Sequence, residues 1–407
     1  MDEFPGLSDI ILTNTKEVSA VQQLNTLYKQ NRYYKERFSL VEPTEIVLSR
    51  NAQNKPVDTF QYIPLPDQLS ALMKHEDVDG HVIVGHKSDA SRIEDYCDGS
   101  LYEMNEIFQE NCHHLQIFGY VDEFTVSNPL RNKAKKYKIT AVYYILGNIP
   151  PKLRSRLYVI QVACLARSIH VKKYGLEAIL APFLRDLKQL ESEGIHLTSS
   201  GLNVQVKGAL CLVCGDNLGC HQIGGFSENF SSGLICRFCM ATRDDIQVIH
   251  DVQEFTQRTI DSYNDQIEMV TEDPRLSSTY GVKKDSPLNA LKHYHVAEGL
   301  PPDLAHDIFE GVACELIVLV VNYSCKKGFF SLKSLNKAIR NLDYGEPDKS
   351  TKHSEMSEEI SKFAVKQTAC QTWCLLRLFG ILVGEGVPHD DDVWGLLLDL
   401  QELVDIM

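Results

Sequence analysis

The chain has 407 residues, 43% of them hydrophobic, and a formal net charge of −14. That length and apolar content suffice for two or three domains, or one large core with appendages, so the chain is expected to fold. Twelve cysteines are too sparse for a disulfide scaffold, and their Cys-x-x-Cys clustering points to metal before disulfide, in cytosol or nucleus.

The start, Met1-Asp2-Glu3-Phe4, is acidic where a signal peptide would be basic. The longest apolar run, Leu316 to Val321, falls short of the roughly 18 residues of a membrane helix. The expectation is a soluble intracellular protein with no membrane partner. Residues 1–110 read as a mostly helical accessory region: Val18 to Phe38 carries apolar and aromatic residues at helical spacing, and Pro66-Asp67 opens a second helix through Met73.

From residue 111 the period changes. "HHLQIFGYVDEF", "YKITAVYYILGN" and "RLYVIQVACLA" are three strand-like runs. A helix comes next, with Leu176, Ile179, Leu180, Phe183, Leu184, Leu187 and Leu190 on one face and Gly194 as its stop. "VKGALCLVCGD" then reads as a buried strand ending at Asp216. Between Phe124 and Leu176 lie eleven basic residues and no acid, so the remaining residues hold all 55 acids and 30 bases. A solvated basic hairpin is the bland reading of this segregation. The functional one is a footprint for a polyanion, through Arg131, Lys133, Lys135, Lys136, Lys138, Lys152, Arg154 and Arg156.

The order strand, strand, strand, helix, strand predicts the front half of an RNase H-like fold. The expected class is α/β (α+β), an RNase H-like mixed sheet flanked by helices, with a helical N-terminal layer and a helical C-terminal insertion. Strands one and four are neighbours in such a sheet, which would bring Asp122 and Asp216 to one sheet end. Carboxylates so placed suit Mg²⁺ or Mn²⁺ and phosphodiester cleavage. The alternative is that acids end strands because turns favour Asp.

Four cysteines fall as two C-x2-C pairs. On a strand, Cys211 and Cys214 point to opposite faces and read as small core residues. Cys236 and Cys239, in a Gly/Ser-rich loop, suit a structural zinc, with ligands drawn from His250, His293, His295 and His306. His295 and His306 are favoured because they flank the "EGLPPD" turn; unliganded thiols are the alternative. "PPDLAHDIFEGV" predicts a helix that sets Asp303, His306, Asp307 and Glu310 on one face, either a site for a metal or third carboxylate or a plain solvated face. The expected divisions are 1–110 accessory, 111–235 core front half, 236–300 zinc-containing insertion, and 301–407 helical.

The blocks "LQIFGYVDEFTVSNPL", "YYILGNIPPKLRS", "GDNLGCHQIGGF", "CRFC" and "PPDLAHDIFEGV", in that order, resemble the catalytic region of the CACTA (En/Spm-like) DNA transposases over roughly residues 55–407. The resemblance implies a DDE nuclease and strand-transferase of the nucleus, with Asp122 and Asp216 as its first two acids. It matches Cys236 and Cys239 to the family's Cys-x-x-Cys, and Asp303 and His306 to its Asp-x-x-His. The family's late tryptophan-, arginine- and glutamate-bearing block has no counterpart before Met407, so Glu310, then Glu402, stand in for the third acid. The implied partners are double-stranded DNA, at transposon ends and target, and further copies of the chain in an active homo-oligomer, with no small-molecule substrate. A truncated or domesticated remnant that binds DNA or protein without chemistry is the rival expectation.

Overall fold

Period-two runs of β-branched and aromatic residues build one six-stranded sheet in the computed structural model, which describes residues 24–74, 78, 80, 92–111, 113–126, 138–199, 202–231, 233–357 and 367–406. The chain divides into two units, Met1–Pro301 and Pro302–Met407. In the first, the sheet strands are β1 (Thr44–Arg50), β2 (Pro56–Tyr62), β3 (Leu115–Thr125), β4 (Lys138–Leu146), β5 (Gln161–Arg167) and β8 (Gly208–Cys214), ordered β1-β2-β5-β4-β3-β8. A separate hairpin joins β6 (Ile195–Ser199) to β7 (Leu202–Val206). All pairings in the large sheet are antiparallel except β3 with β8, which is parallel. Across β5-β4-β3-β8 the predicted segments run third, second, first, fourth, so the first and fourth are neighbours, as expected of the RNase H-like front half.

Helices of this unit include α1 (Leu27–Phe38), α2 (Leu65–Leu72), α3 (Pro151–Arg154), α4 (Ser168–Tyr174), α5 (Leu176–Ser192), α6 (Asn217–Ile223) and α7 (Ile260–Glu272). On α5, the predicted face holds: Ile179, Leu180, Phe183, Leu184, Leu187 and Leu190 are buried. Phe183 stacks on Tyr144 of β4 with ring centroids 6.0 Å apart. Each such side chain contributes roughly 1.5–3 kcal/mol by leaving water. Asp186 on the same helix is buried too, and its Oδ2 accepts the Tyr62 hydroxyl at 2.5 Å and the Leu65 amide at 3.2 Å. A buried carboxylate is tolerated because those donors replace water.

The N-terminal region departs from the helical expectation. α1 and α2 form, but residues 44–62 are a β-hairpin that extends the sheet through β2 and β5. Its turn is set by Asn51, whose Oδ1 accepts the amides of Gln53 and Lys55, while Asn54 takes a left-handed φ of 62°. Local hydrogen bonding by asparagine favours such a turn over a helix.

In the second unit, a π-helical stretch Ala305–Val312 runs into α8 (Ala313–Lys327), followed by α9 (Leu332–Asn341), α10 (Ala369–Val383) and α11 (Asp392–Ile406). Together Ala305–Lys327 span 23 residues at mean hydropathy 1.7, long and apolar enough to cross a membrane by composition. The same apolarity serves a core here: Ile317, Val320 and Val321 are buried with Leu375, Leu376, Phe379 and Leu397. Ser331 and Thr368 cap α9 and α10 through reciprocal bonds with Ser334 and Gln371.

His353 is 2% exposed in this unit, and its Nδ1 has no hydrogen-bond partner among the described residues. Burial, aided by Lys352, pushes its pKa down to about 4. The unfolded chain therefore binds the proton more readily, so stability rises with pH between about 4 and 6.5 and is lost as pH falls through that window. The chain's two tryptophans, Trp373 and Trp394, both lie in this unit. Denaturation followed by tryptophan fluorescence should show stability falling by roughly 1 kcal/mol per pH unit below pH 6. His353→Asn should flatten that slope; an unchanged slope would contradict the assignment.

Candidate active site

Asp122 lies inside β3 rather than at its end, because the strand continues to Thr125 against β4. Burial along β3 is complete from Leu115 to Gly119 and gone by Asp122. One end of the sheet is thus enclosed and the other opens to solvent. β8 pairs with β3 up to Cys214 opposite Tyr120, so Asp216 and Asp122 each come two residues beyond that pair on adjacent parallel strands, whose axes lie about 4.8 Å apart. The chains stay close past the ladder: a Cβ on Gly215 would lie 3.1 Å from the Val121 carbonyl oxygen.

Both acids are exposed, and each uses one oxygen locally. Asp122 Oδ1 accepts the Glu123 amide at 2.7 Å. Asp216 is the N-cap of α6, its Oδ1 accepting the Gly219 amide at 2.6 Å. The remaining oxygen of each has no hydrogen bond among the described residues. Two carboxylates with one oxygen pinned to backbone and one outward are a fitting donor set for a hard divalent cation.

The turn at the C-terminal end of α6 holds the helix in place. Gly225 adopts φ 70°, and a Cβ there would meet the Lys284 carbonyl oxygen at 1.9 Å, so "GDNLGCHQIGGF" closes only with glycine at that position. His221 bonds the Ser227 carbonyl through Nδ1 at 2.6 Å, and burial lowers its pKa, which keeps the imidazole neutral.

The second cysteine pair forms a tight knuckle between the bridge residues Leu234 and Thr242. The Phe238 amide donates to Cys236 Sγ at 3.3 Å. Burial and the adjacent Cys236 thiol raise the Cys239 pKa to about 11. The two sulfurs fit half of a zinc ligand set. His295 does not complete it: its Nδ1 accepts the Ala297 amide at 3.1 Å, its Nε2 faces Asn264 Oδ1 at 3.3 Å, and its ring packs edge-on to Tyr263. His306 belongs to the second unit, where Nδ1 pairs with Asp303 and Nε2 lies 3.9 Å from Glu310. Among the described residues no group of three or more His, Cys, Asp or Glu side chains is gathered around a metal position. Of the first pair, Cys211 is buried near Tyr96 at an irregularity of β8, as a core residue, while Cys214 is only half-buried, beside Tyr120.

The π-helical winding alters the predicted acidic face. Its N-cap is Leu304, and Asp303 just before it accepts the His306 amide through Oδ1 at 3.2 Å and the Asp307 amide through its carbonyl at 2.8 Å. Asp303, His306 and Glu310 form a row, the imidazole between two carboxylates. Glu310 and Glu402 both lie in the second unit, whereas Asp122 and Asp216 belong to the first.

The basic candidates divide. Arg131, Lys133, Lys135 and Lys136 lie outside the described residues. Lys138 is at the acid end of the sheet and pairs with Glu123. Lys152, Arg154 and Arg156 come after the far end of β4, whose last residue, Leu146, is five positions past Ala141, the partner of Asp122, or roughly 17 Å of strand away. Arg154 is engaged internally: its guanidinium forks onto Asp95, bonds the Ile149 and Gly147 carbonyls, and lies over Phe118. Its side chain is 14% exposed and that of Asp95 5%, which makes it a structural cation.

Sequence reasoning also missed Arg237, inside "CRFC". The residue is 4% exposed, and its guanidinium donates to Asn217 Oδ1 at 2.6 Å and to the Pro301 carbonyl at 2.8 Å and lies over Phe238. It clamps the knuckle onto the residue next to Asp216. Charge-assisted bonds of this kind carry about 1.5–3 kcal/mol, so Arg237→Met should raise the alkylation rate of Cys239 at least about tenfold by mapped mass spectrometry. An unchanged rate would show that the knuckle does not depend on the clamp.

Comparison of the chain with protein-family models and with curated proteins finds no match to either.

Proposed function

We propose that the chain is a transposase or transposase-derived protein of the nucleus that cleaves DNA phosphodiester bonds and joins the freed end to target DNA. The observation that carries this reading is the parallel β3–β8 pairing, beyond whose last pair, Tyr120 with Cys214, Asp122 and Asp216 each follow by two residues. Asp122 and Asp216 would hold Mg²⁺ or Mn²⁺ through their outward oxygens, and such ions supply activation of a water or 3′-hydroxyl and charge neutralisation at the phosphate. The backbone bonds to Glu123 and Gly219 orient the two carboxylates before any ligand arrives, which lowers the cost of assembling the site. Zinc at Cys236 and Cys239 is part of the same proposal, as a brace for the loop beside α6.

A second reading is favoured by one observation: no third acidic or histidine ligand gathers with the pair among the described residues. It holds the chain to be a remnant that binds DNA or protein without chemistry. Mg²⁺-dependent nicking of a duplex bearing the element's terminal repeats separates the two. Asp216→Asn keeps a competent helix cap and Asp122→Asn keeps the shape, yet each should cut nicking to below about one hundredth of wild type, the scale of losing a key electrostatic group. Nicking unaffected by both substitutions would place the chemistry elsewhere, and no nicking by the unsubstituted chain would favour the remnant.

A further inference from the structure

At its open end the sheet carries a second set of groups on the same face as Asp122. Alternation along β3 puts Tyr120 and Phe124 on that face, and the antiparallel register puts Tyr143, Ala141 and Ile139 of β4 opposite Tyr120, Asp122 and Phe124. The β5 register continues the rows, with Leu165 opposite Ala141 and Arg167 opposite Ile139. Tyr120 and Tyr143 stand as a stacked pair, ring centroids 5.4 Å apart and planes within 7°. Both are half-buried, Leu165 is 36% and Phe124 41% exposed, and Arg167 is exposed. Neither phenol has a hydrogen-bond partner, and Arg167 has no ion pair, among the described residues.

We propose that Tyr120 and Tyr143 form a seat for a DNA backbone phosphodiester on the face that carries Asp122, and that Arg167, in the row beyond Asp122, holds a further phosphate of the same strand. This rests on the nuclease reading for its place beside a scissile bond, and on geometry for the contact itself. Two parallel phenols present two O–H donors side by side, and Arg167 adds a cation where Asp122 and Asp216 would otherwise repel phosphate. Tyrosine hydroxyls and arginine are common backbone ligands that fix register without reading bases. The two-residue step from Asp122 to Tyr120 spans about 6.8 Å, close to the step between successive phosphates on one strand.

The contact is measurable without catalysis, because phosphate binding is independent of sequence. Binding of a generic 30-base-pair duplex in Ca²⁺ is followed by fluorescence anisotropy over a range of salt. Tyr120→Phe and Tyr143→Phe keep the stacked rings and remove only the hydroxyls; each should weaken binding about tenfold with an unchanged salt slope. Arg167→Ala, at an exposed site, should weaken it by a similar factor and reduce the slope by about 0.9. A duplex with one methylphosphonate placed along the strand should lose affinity at two positions in the unsubstituted protein, one of which is silent in the double Phe variant and the other in Arg167→Ala. A structural role for the tyrosines would not produce that position dependence. Wild-type affinity and slope in all three variants would overturn the seat while leaving the nicking result of Asp122→Asn untouched. Expected binding losses with no nicking in any form would support the seat and remove the nuclease.

Discussion

The parallel pairing of β3 with β8 is the constraint on which the first unit depends. It needs the two backbones to meet at Gly208, where a Cβ would lie 2.6 Å from the Leu115 carbonyl oxygen. It is begun by the Leu115 amide donating to the Lys207 carbonyl at 2.9 Å. A parallel ladder requires a long crossover, and here β4, β5, α5 and the β6–β7 hairpin supply it. The pairing then does two things at once: it buries Leu115 and Ile117 with Leu210 in the core, and it brings the segments that carry Asp122 and Asp216 to the same end of the sheet.

The two ends of the sheet have opposite characters for the same reason. Where Tyr96 and Arg154 pack on Phe118, both faces are covered and charge is neutralised internally by Asp95. At the other end Asp122, Glu123, Phe124 and Thr125 are exposed. A charged residue near the first end is committed to packing, while one near the second is available to a ligand. That division accounts for Arg154 and Arg167 having different fates within one basic stretch.

Much of this was legible in the residues. The strand order came from three β-branched and aromatic runs before an amphipathic helix, and the apolar face of α5 could be read position by position. The β1–β2 hairpin was not legible, because its strands are short and partly exposed, and its place in the sheet is set by long-range contacts such as Tyr62 with Asp186. His295 was singled out from its place beside a turn; the partners its ring has, Asn264 and Ala297, come from a helix and from the turn itself. The one-face pattern of Asp303, His306, Asp307 and Glu310 assumed α-helical winding, whereas the segment is a π-helix, a rare form that apolar periodicity does not announce. Charge counting found the basic stretch but not which cations were committed to internal carboxylates.

Shared metal binding by Asp122 and Asp216 can be mapped in the protein itself. Fe²⁺ with ascorbate, loaded in place of Mg²⁺, cuts backbone near its site, and fragments are sized by mass spectrometry. Cuts should cluster at residues 121–123 and 215–217, be suppressed by excess Mg²⁺, and be absent in the Asp122→Asn, Asp216→Asn double variant. Cuts confined to other segments, or a pattern unchanged in the double variant, would show that the two carboxylates do not hold the metal.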